Sequence, residues 1–303
     1  LDSLWIFPGQ GGQHADMLAT VDPGLRAKVE DQLQLKLLDT DDAYQDSVQL
    51  QVGIELLQVD QVDRLLAAGF KPRLAAGHSL GVFAAAYALG SISAPDLFKT
   101  VKLRAQLMQG AYPSGYGMGV VVGLTRPEVE ALVAQVTTKE KPVYASNQNA
   151  EDQVALSGQL EAIDAVVQLA KDNGASKAMR LRVPVPSHSP LMNDVATKLA
   201  ASLADVTIDR PQGIYLANNT GHAVRQSGPL RDDLGHNLAH PVFFESMMAV
   251  ATDYQPNVII NFSPGRPFRK VLAQKFGDIH QVYLDQMTIA DATYLLKKWE
   301  RGS

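Results

Sequence analysis

Apolar and polar positions along the chain alternate between two periods. Residues 3–7 form a nearly continuous apolar run that breaks at once into Pro8-Gly9-Gln10-Gly11-Gly12-Gln13. This reads as a buried strand ending in a loop with unusual backbone angles. Residues 16–70 read as helical, most clearly over 49–66, where Val52, Leu56, Val59, Val62 and Leu66 keep helical spacing. Residues 72–90 divide into a short apolar run, a tight turn and an alanine-rich run, which predicts strand, turn and helix. A helix over 95–109 has Ala94-Pro95-Asp96 as its start signal. From Met118 the period changes. A strand there is followed by a helix over 127–136, strands over 141–146 and 153–157, a helix over 160–173 and a strand over 178–183. Then come helix 192–204, strand 214–217, helices 230–238 and 241–254, strand 258–262, helix 268–276, strand 281–284 and a closing helix over 288–299.

The middle segment runs strand, helix, strand, strand, helix, strand, the order of a ferredoxin-like unit. The expected fold class is therefore α/β, with a discontinuous main domain of residues 1–115 and 185–303 and an inserted ferredoxin-like domain of residues 116–184. A cleft between two such domains is a common place for a ligand site.

The turn in the third segment is Gly77-His78-Ser79-Leu80-Gly81. It fits the G-x-S-x-G pattern of a nucleophile elbow, which makes the main domain α/β-hydrolase-like. The pentapeptide alone is a weak signal. The strand before it and the helix after it are the setting the motif requires. In such a bend the serine hydroxyl is exposed at the top of a sheet, and a side chain at either glycine would strike the neighbouring strand or helix. The free N–H groups where the helix begins face any negative charge that develops beside Ser79. A second backbone donor would have to come from another loop, and the glycine-rich loop at residues 8–13 is the candidate.

Composition narrows the chemistry. The chain has 303 residues, 46% hydrophobic and 19% charged, with a net charge of −5 and no basic tail or stripe, which argues against a nucleic-acid binder. It has no cysteine, so a cysteine nucleophile, a disulfide and a thiolate metal site are all excluded. That suits the cytoplasm. No apolar run is long enough for a membrane span, and residues 4–7 are too short for a signal-peptide core. Leu1 and the end Arg301-Gly302-Ser303 are set aside as not diagnostic.

Ser79 needs a base. Of the seven histidines, His78 points away from its neighbour's hydroxyl, His14 and His280 have no special context, His222 reads as a turn residue, and His236 and His240 lie near Asn237 on a helix end. His188 lies in Val185-Pro186-Ser187-His188-Ser189-Pro190, held by prolines where the chain returns to the main domain, and is the best candidate. Glu161, Asp164 and Asp172 lie between serine and histidine but fall in the inserted domain. A full triad is not evident, so a backbone carbonyl is expected to orient the imidazole.

The chain resembles the malonyl-CoA:acyl-carrier-protein transacylases nearly end to end. The resemblance is carried by Phe7-Pro8-Gly9-Gln10-Gly11, by the elbow, by Leu103-Arg104 with Met108-Gln109, by Asn147-x-Asn149 with 153–158, by 185–188, and by Ser263-Pro264-Gly265-Arg266, where Ser replaces the first Gly of a Gly-Pro-Gly loop. Within that family, residues 47–51, 111–118 and 230–234 are similar to the transacylase subunit of malonate decarboxylase. The resemblance implies Ser79 as the acylated nucleophile, His188 as its base and acid, and the backbone N–H groups of Gln10 and Leu80 as an oxyanion hole. It implies Arg104 as the clamp on the malonyl carboxylate, and the main-chain carbonyl of Asn237 as the support for the histidine.

The implied reaction is ping-pong: malonyl-CoA acylates Ser79, CoA leaves, and a phosphopantetheine-type thiol on an acyl carrier protein takes the group. The expected carrier is the malonate decarboxylase carrier subunit, with other decarboxylase subunits as further partners. No metal or diffusible cofactor is expected, and neither is a nucleic-acid or membrane partner. An acidic carrier would need a local basic patch, for which Arg266, Arg269, Lys270, Lys275, Lys99 and Lys102 are candidates. Three rival readings share these residues: a serine thioesterase or esterase, a non-catalytic carrier-docking subunit, and the malonyl transacylase of fatty acid synthesis. Arg104 and the missing acid speak against the first, and the retained Ser79, His188, Arg104 and Gln10 against the second.

Overall fold

The computed structural model describes residues 1–112 and 114–302. Pro113, in the 111–118 stretch, and Ser303, at the chain end, lie outside the described residues. The first part of the chain runs β1 (Ser3–Phe7), α1 (Pro23–Leu33), α2 (Ser47–Ala67), β2 (Leu74–Gly77), α3 (Val82–Ala88) and α4 (Ala94–Ala111). The middle part runs β3 (Tyr116–Val122), α5 (Arg126–Val136), β4 (Val143–Ala150), β5 (Gln153–Gln159), α6 (Leu160–Asp172) and β6 (Lys177–Arg180). The last part runs α7 (Asn193–Leu203), β7 (Ile214–Leu216), β8 (Ala223–Val224), α8 (Ser227–His236), α9 (Phe244–Asp253), β9 (Val258–Asn261), α10 (Arg269–Phe276), β10 (His280–Tyr283) and α11 (Ile289–Gly302).

The main sheet has the order β10-β9-β1-β2-β7-β8. Its first five strands are parallel, and β8 closes one edge antiparallel to β7. Helices cover both faces, so the central strands are apolar throughout: all of β1 and β2 is buried. The alternation of a strand sorts their side chains. Trp5 and Phe7 face the layer with α2, α3 and α11, while Leu4 and Ile6 face α9 and α10. Full burial of side chains this size contributes about 2 kcal/mol each, enough to fix a strand only five residues long.

The second sheet, β4-β5-β3-β6, is antiparallel and built entirely from the middle part. With α5 and α6 on it, this is the ferredoxin-like order. Its core is Val121, Leu156, Ile163, Val166 and their neighbours. The second sheet is tied to the segment that leads into α9 by Gln148 N–H to Val242 O (2.9 Å) and by Val242 N–H to the Asn147 side-chain oxygen (3.0 Å).

Three expectations shift. Residues 16–70 are not one helical run: Gln34 adopts φ 51° and ends α1, and α2 restarts only where the Asp46 side chain accepts from Gln49 N–H (2.9 Å). The helix expected from 241 starts at Phe244, because the residues after Pro241 bridge to the second sheet. The two-residue strand β8 is too short to leave a periodic signal. One feature of α2 is not amphipathic at all: Gln51, Glu55, Gln58, Asp60 and Gln61 are buried along with its apolar residues.

Candidate active site

Four loops meet at the carboxyl ends of the parallel strands, the usual ligand edge of an open α/β sheet. They follow β1, β2, β7 and β9. The loop after β2 is the elbow. A Cβ at Gly77 would lie 2.2 Å from Gly81 C and Val82 N, and one at Gly81 would lie 2.1 Å from Phe7 O. No side chain fits at either position. Ser79 itself is held at φ 56° and His188 at φ 61°, so both residues sit in the left-handed region that non-glycine residues avoid.

Ser79 Oγ lies 2.8 Å from His188 Nε2. On the other side of the ring, Nδ1 lies 2.8 Å from Asn237 O and 3.0 Å from His240 O. Carbonyl oxygens only accept, so Nδ1 carries the proton and Nε2 is free to accept from the Ser79 hydroxyl. Burial holds the imidazole neutral, with its pKa lowered to about 3; the bond to Asn237 O opposes this, and the charges of His78 and Arg104 add to it. His188 is 3% exposed. Its own N–H donates to Leu238 O at 2.6 Å, which fixes the backbone under the ring.

Arg104 comes from α4 and is fully buried. Its Nη2 donates to Ser79 Oγ (3.1 Å) and its Nη1 to Gln51 Oε1 (2.6 Å), while Nε has no partner. Burial lowers its pKa to about 10, so the guanidinium stays charged near neutrality. Leu80 is buried inside the elbow, and Gln10 is exposed one residue beyond Gly9. A Cβ at Gly9 would come 2.8 Å from His78 O, so the Gln10 loop rests directly on the elbow.

Neighbouring side chains hold these loops, and sequence reading missed them. Asn218, after β7, accepts from Ser79 N–H (2.8 Å) and donates to Gly77 O (2.5 Å), stapling the elbow at Ser79 and before it. Asp233 then receives Asn218 N–H (2.9 Å) and the Tyr215 hydroxyl (2.6 Å). Gln58 donates to both Pro8 O (2.8 Å) and Ser263 O (2.9 Å), and Gln61 pairs with Ser263. The Asn237 side chain also reaches Ser79 O at 3.2 Å. A signal existed for part of this set: polar residues 51, 55 and 58 recur at helical spacing inside an apolar run.

Other candidates lie elsewhere. His78 turns from Ser79 to the Asn149 side chain (2.8 Å), and His280 stacks on Trp299. Asp164 pairs with Arg180 and Glu161 with Lys141 on the surface of the small subdomain. Lys275 is tied to Glu245 (2.5 Å) and Lys102 to Leu33 O (2.7 Å), whereas Arg266, Arg269 and Lys270 are exposed beside the Ser263–Gly265 loop. That loop packs on Gly12, where a Cβ would meet Pro264 O at 2.6 Å. Among the described residues, no group of three or more His, Asp or Glu side chains is placed to hold a metal ion.

Residues 4–282 match the model of the acyl transferase domain family. The chain belongs to that family. A malonyl CoA-acyl carrier protein transacylase of Haemophilus influenzae is 30% identical over 95% of this acyl transferase and 96% of its own length. One of Bacillus subtilis is 28% identical over 86% of each chain. Among solved structures, FabD from Acinetobacter baumannii superposes with TM-score 0.90 at 30% identity, covering 97% of this chain and 98% of that one. A malonyl-transacylase solved in complex with a type II polyketide acyl-carrier protein gives TM-score 0.90 at 27% identity, covering 97% and 99%. In this acyl transferase, Ser79, His188 and Arg104 converge at one edge of the large sheet.

Proposed function

We propose that this acyl transferase moves a malonyl group from malonyl-CoA, through an ester on Ser79, to the thiol of an acyl carrier protein of fatty acid synthesis. The supporting observation is the three-way contact at Ser79 Oγ: His188 Nε2 on one side and the Arg104 guanidinium on the other. In the first half-reaction Ser79 Oγ attacks the thioester carbonyl carbon and its proton passes to His188 Nε2. The carbonyl π electrons move to oxygen, where the N–H groups of Gln10 and Leu80 receive the charge; each such donor contributes roughly 3 kcal/mol to the transition state. The C–S bond breaks, and the CoA sulfur leaves with the proton from His188. The second half reverses these steps with the carrier's thiol as nucleophile, and Ser79 recovers its proton.

Arg104 supplies acyl selectivity in this reading. A guanidinium meets a carboxylate with parallel hydrogen bonds, which an acetyl group cannot accept. The chemistry needs no metal or diffusible cofactor. The exposed Arg266, Arg269 and Lys270, next to the loop that packs on Gly12, suit an acidic carrier. A cytoplasmic location fits the absence of cysteine.

A second reading has the same chemistry with the malonate decarboxylase carrier as acceptor. Residues 47–51, 111–118 and 230–234 favour it, whereas the relatives' names give an acyl carrier protein as the acceptor, which supports the first reading. Mass spectrometry after incubation with malonyl-CoA or acetyl-CoA tests the shared part. We expect a malonyl adduct on Ser79, little acetyl adduct, and a malonyl preference lowered roughly 10- to 100-fold in Arg104→Ala, the worth of a hydrogen bond to a charged group. Equal labelling by both thioesters in the intact protein would refute the role of Arg104. Presenting each purified carrier to the malonyl-enzyme then separates the two acceptors.

A further inference from the structure

We infer that Glu55 is a second holder of the acyl group's free carboxylate, acting as a neutral, hydrogen-donating acid beside Arg104, a role that presupposes the malonyl ester on Ser79 proposed above. Glu55 lies mid-way along α2, fully buried, and both of its carboxyl oxygens lack a hydrogen-bond partner. Its neighbours on the same face of the helix are committed to the site. Gln51, one turn before, accepts from Arg104 Nη1 at 2.6 Å. Gln58, three residues on, holds Pro8 O and Ser263 O, the loops beside Ser79. Residues at this spacing share one face of a helix. So of three polar side chains in one stripe, the outer two bind parts of the site and the middle one has nothing to bind.

Arg104 is the cation whose charge reaches Glu55, yet its Nη groups go to Gln51 and Ser79, and its Nε is also unpartnered. Two buried groups with unmet hydrogen-bonding capacity thus belong to one locus. A buried donor or acceptor left unmet is costly, and a carboxylate entering beside Arg104 would relieve it at both groups. Burial also pushes the Glu55 carboxyl well above the usual carboxylate range, against the opposing charge of Arg104, and so favours its protonated form. A neutral acid donates O–H to a carboxylate without competing for the guanidinium, whereas an ionised one would repel the substrate. The ligand class this pair fits is a short dicarboxylic acyl group bearing a free carboxylate at the end away from the thioester.

The test compares initial rates of Ser79 acylation by malonyl-CoA and acetyl-CoA, read by intact-protein mass spectrometry, in wild type, Glu55→Leu and Glu55→Gln. Leucine fills similar space and removes the unmet acid, so E55L is expected to melt no lower than wild type. Its malonyl-to-acetyl rate ratio is expected to fall about tenfold, with acetyl transfer itself changed by less than about twofold. E55Q keeps an N–H donor and is expected to hold the ratio within about threefold of wild type. A folded E55L with an unchanged ratio overturns the role of Glu55 and leaves the malonyl reading standing. A wild-type protein that forms no malonyl ester on Ser79 overturns both.

Discussion

Replacing His188 by asparagine changes how the fold responds to acid. Asparagine tolerates the left-handed φ of 61° found there better than other non-glycine residues, so the loop keeps its path. The histidine it replaces is held at a pKa of about 3, against an ordinary value of 6.5. Between these values the unfolded chain binds a proton at this residue and the native one does not. Stability linked to His188 is therefore complete above pH 6.5 and is lost progressively as the pH falls toward 3. Lowering the pH from 7 to 5 removes about 2 kcal/mol at this one residue. Urea unfolding of wild type and His188→Asn at pH 7 and pH 5 isolates it, because groups common to both proteins cancel in the difference. Asp233 is one of these; burial holds it up to about 6, so it titrates in the same window with the opposite sign. Wild-type stability minus variant stability is expected to shrink by about 2 kcal/mol from pH 7 to pH 5. A difference that stays constant would mean that the native imidazole is free to take a proton, and the description of a dry, carbonyl-held base would be wrong.

Two further outcomes follow from the elbow. Asn218→Leu keeps the side-chain volume but leaves Ser79 N–H and Gly77 O without partners, and is expected to cost about 3 kcal/mol in urea unfolding and to slow Ser79 acylation at least about tenfold; a loss below about 1 kcal/mol would show that the elbow does not depend on this staple. Gly77→Ala puts a methyl group 2.2 Å from the Gly81 and Val82 backbone, so it is expected to yield little folded protein at 25 °C by circular dichroism; a native-like spectrum with full acylation would contradict the packing.

The elbow was legible because each glycine is forced by backbone contact rather than by side-chain choice. A short pattern therefore carries the whole local geometry. His188 was legible by elimination and by its prolines, since no other histidine had a fixed setting. What the sequence concealed comes from chain ends of other strands. Asn218 and Asp233 lie about 140 and 155 residues from Ser79 and look like ordinary loop and helix residues until β7 pairs with β2. On α2 the apolar spacing was read correctly as helix, but it does not show that every position from Leu50 to Val62 is buried. α3, α4 and α11 pack around this part of the helix, so Gln51, Gln58 and Gln61 are buried; Gln51 binds Arg104, and Gln58 and Gln61 bind loops instead of water. The over-long helix over 16–70 failed for a local reason, the left-handed Gln34, which is not one of the residue types that announce such a stop.

On the proposed reaction, the uncharged oxygens of Asn237 and His240 behind the imidazole would also limit which bonds Ser79 can break. With no anion beneath it, the protonated ring is a high-energy species, reached only when the carbon under attack is already strongly electrophilic and the departing atom needs little help. Sulfur in a thioester meets both conditions. The nitrogen of a peptide link meets neither. On the proposed reaction, a hydroxyl built this way would sit among proteins without digesting them, and an acyl unit on it would be shielded from hydrolysis by the same reluctance of the ring to draw a proton from water.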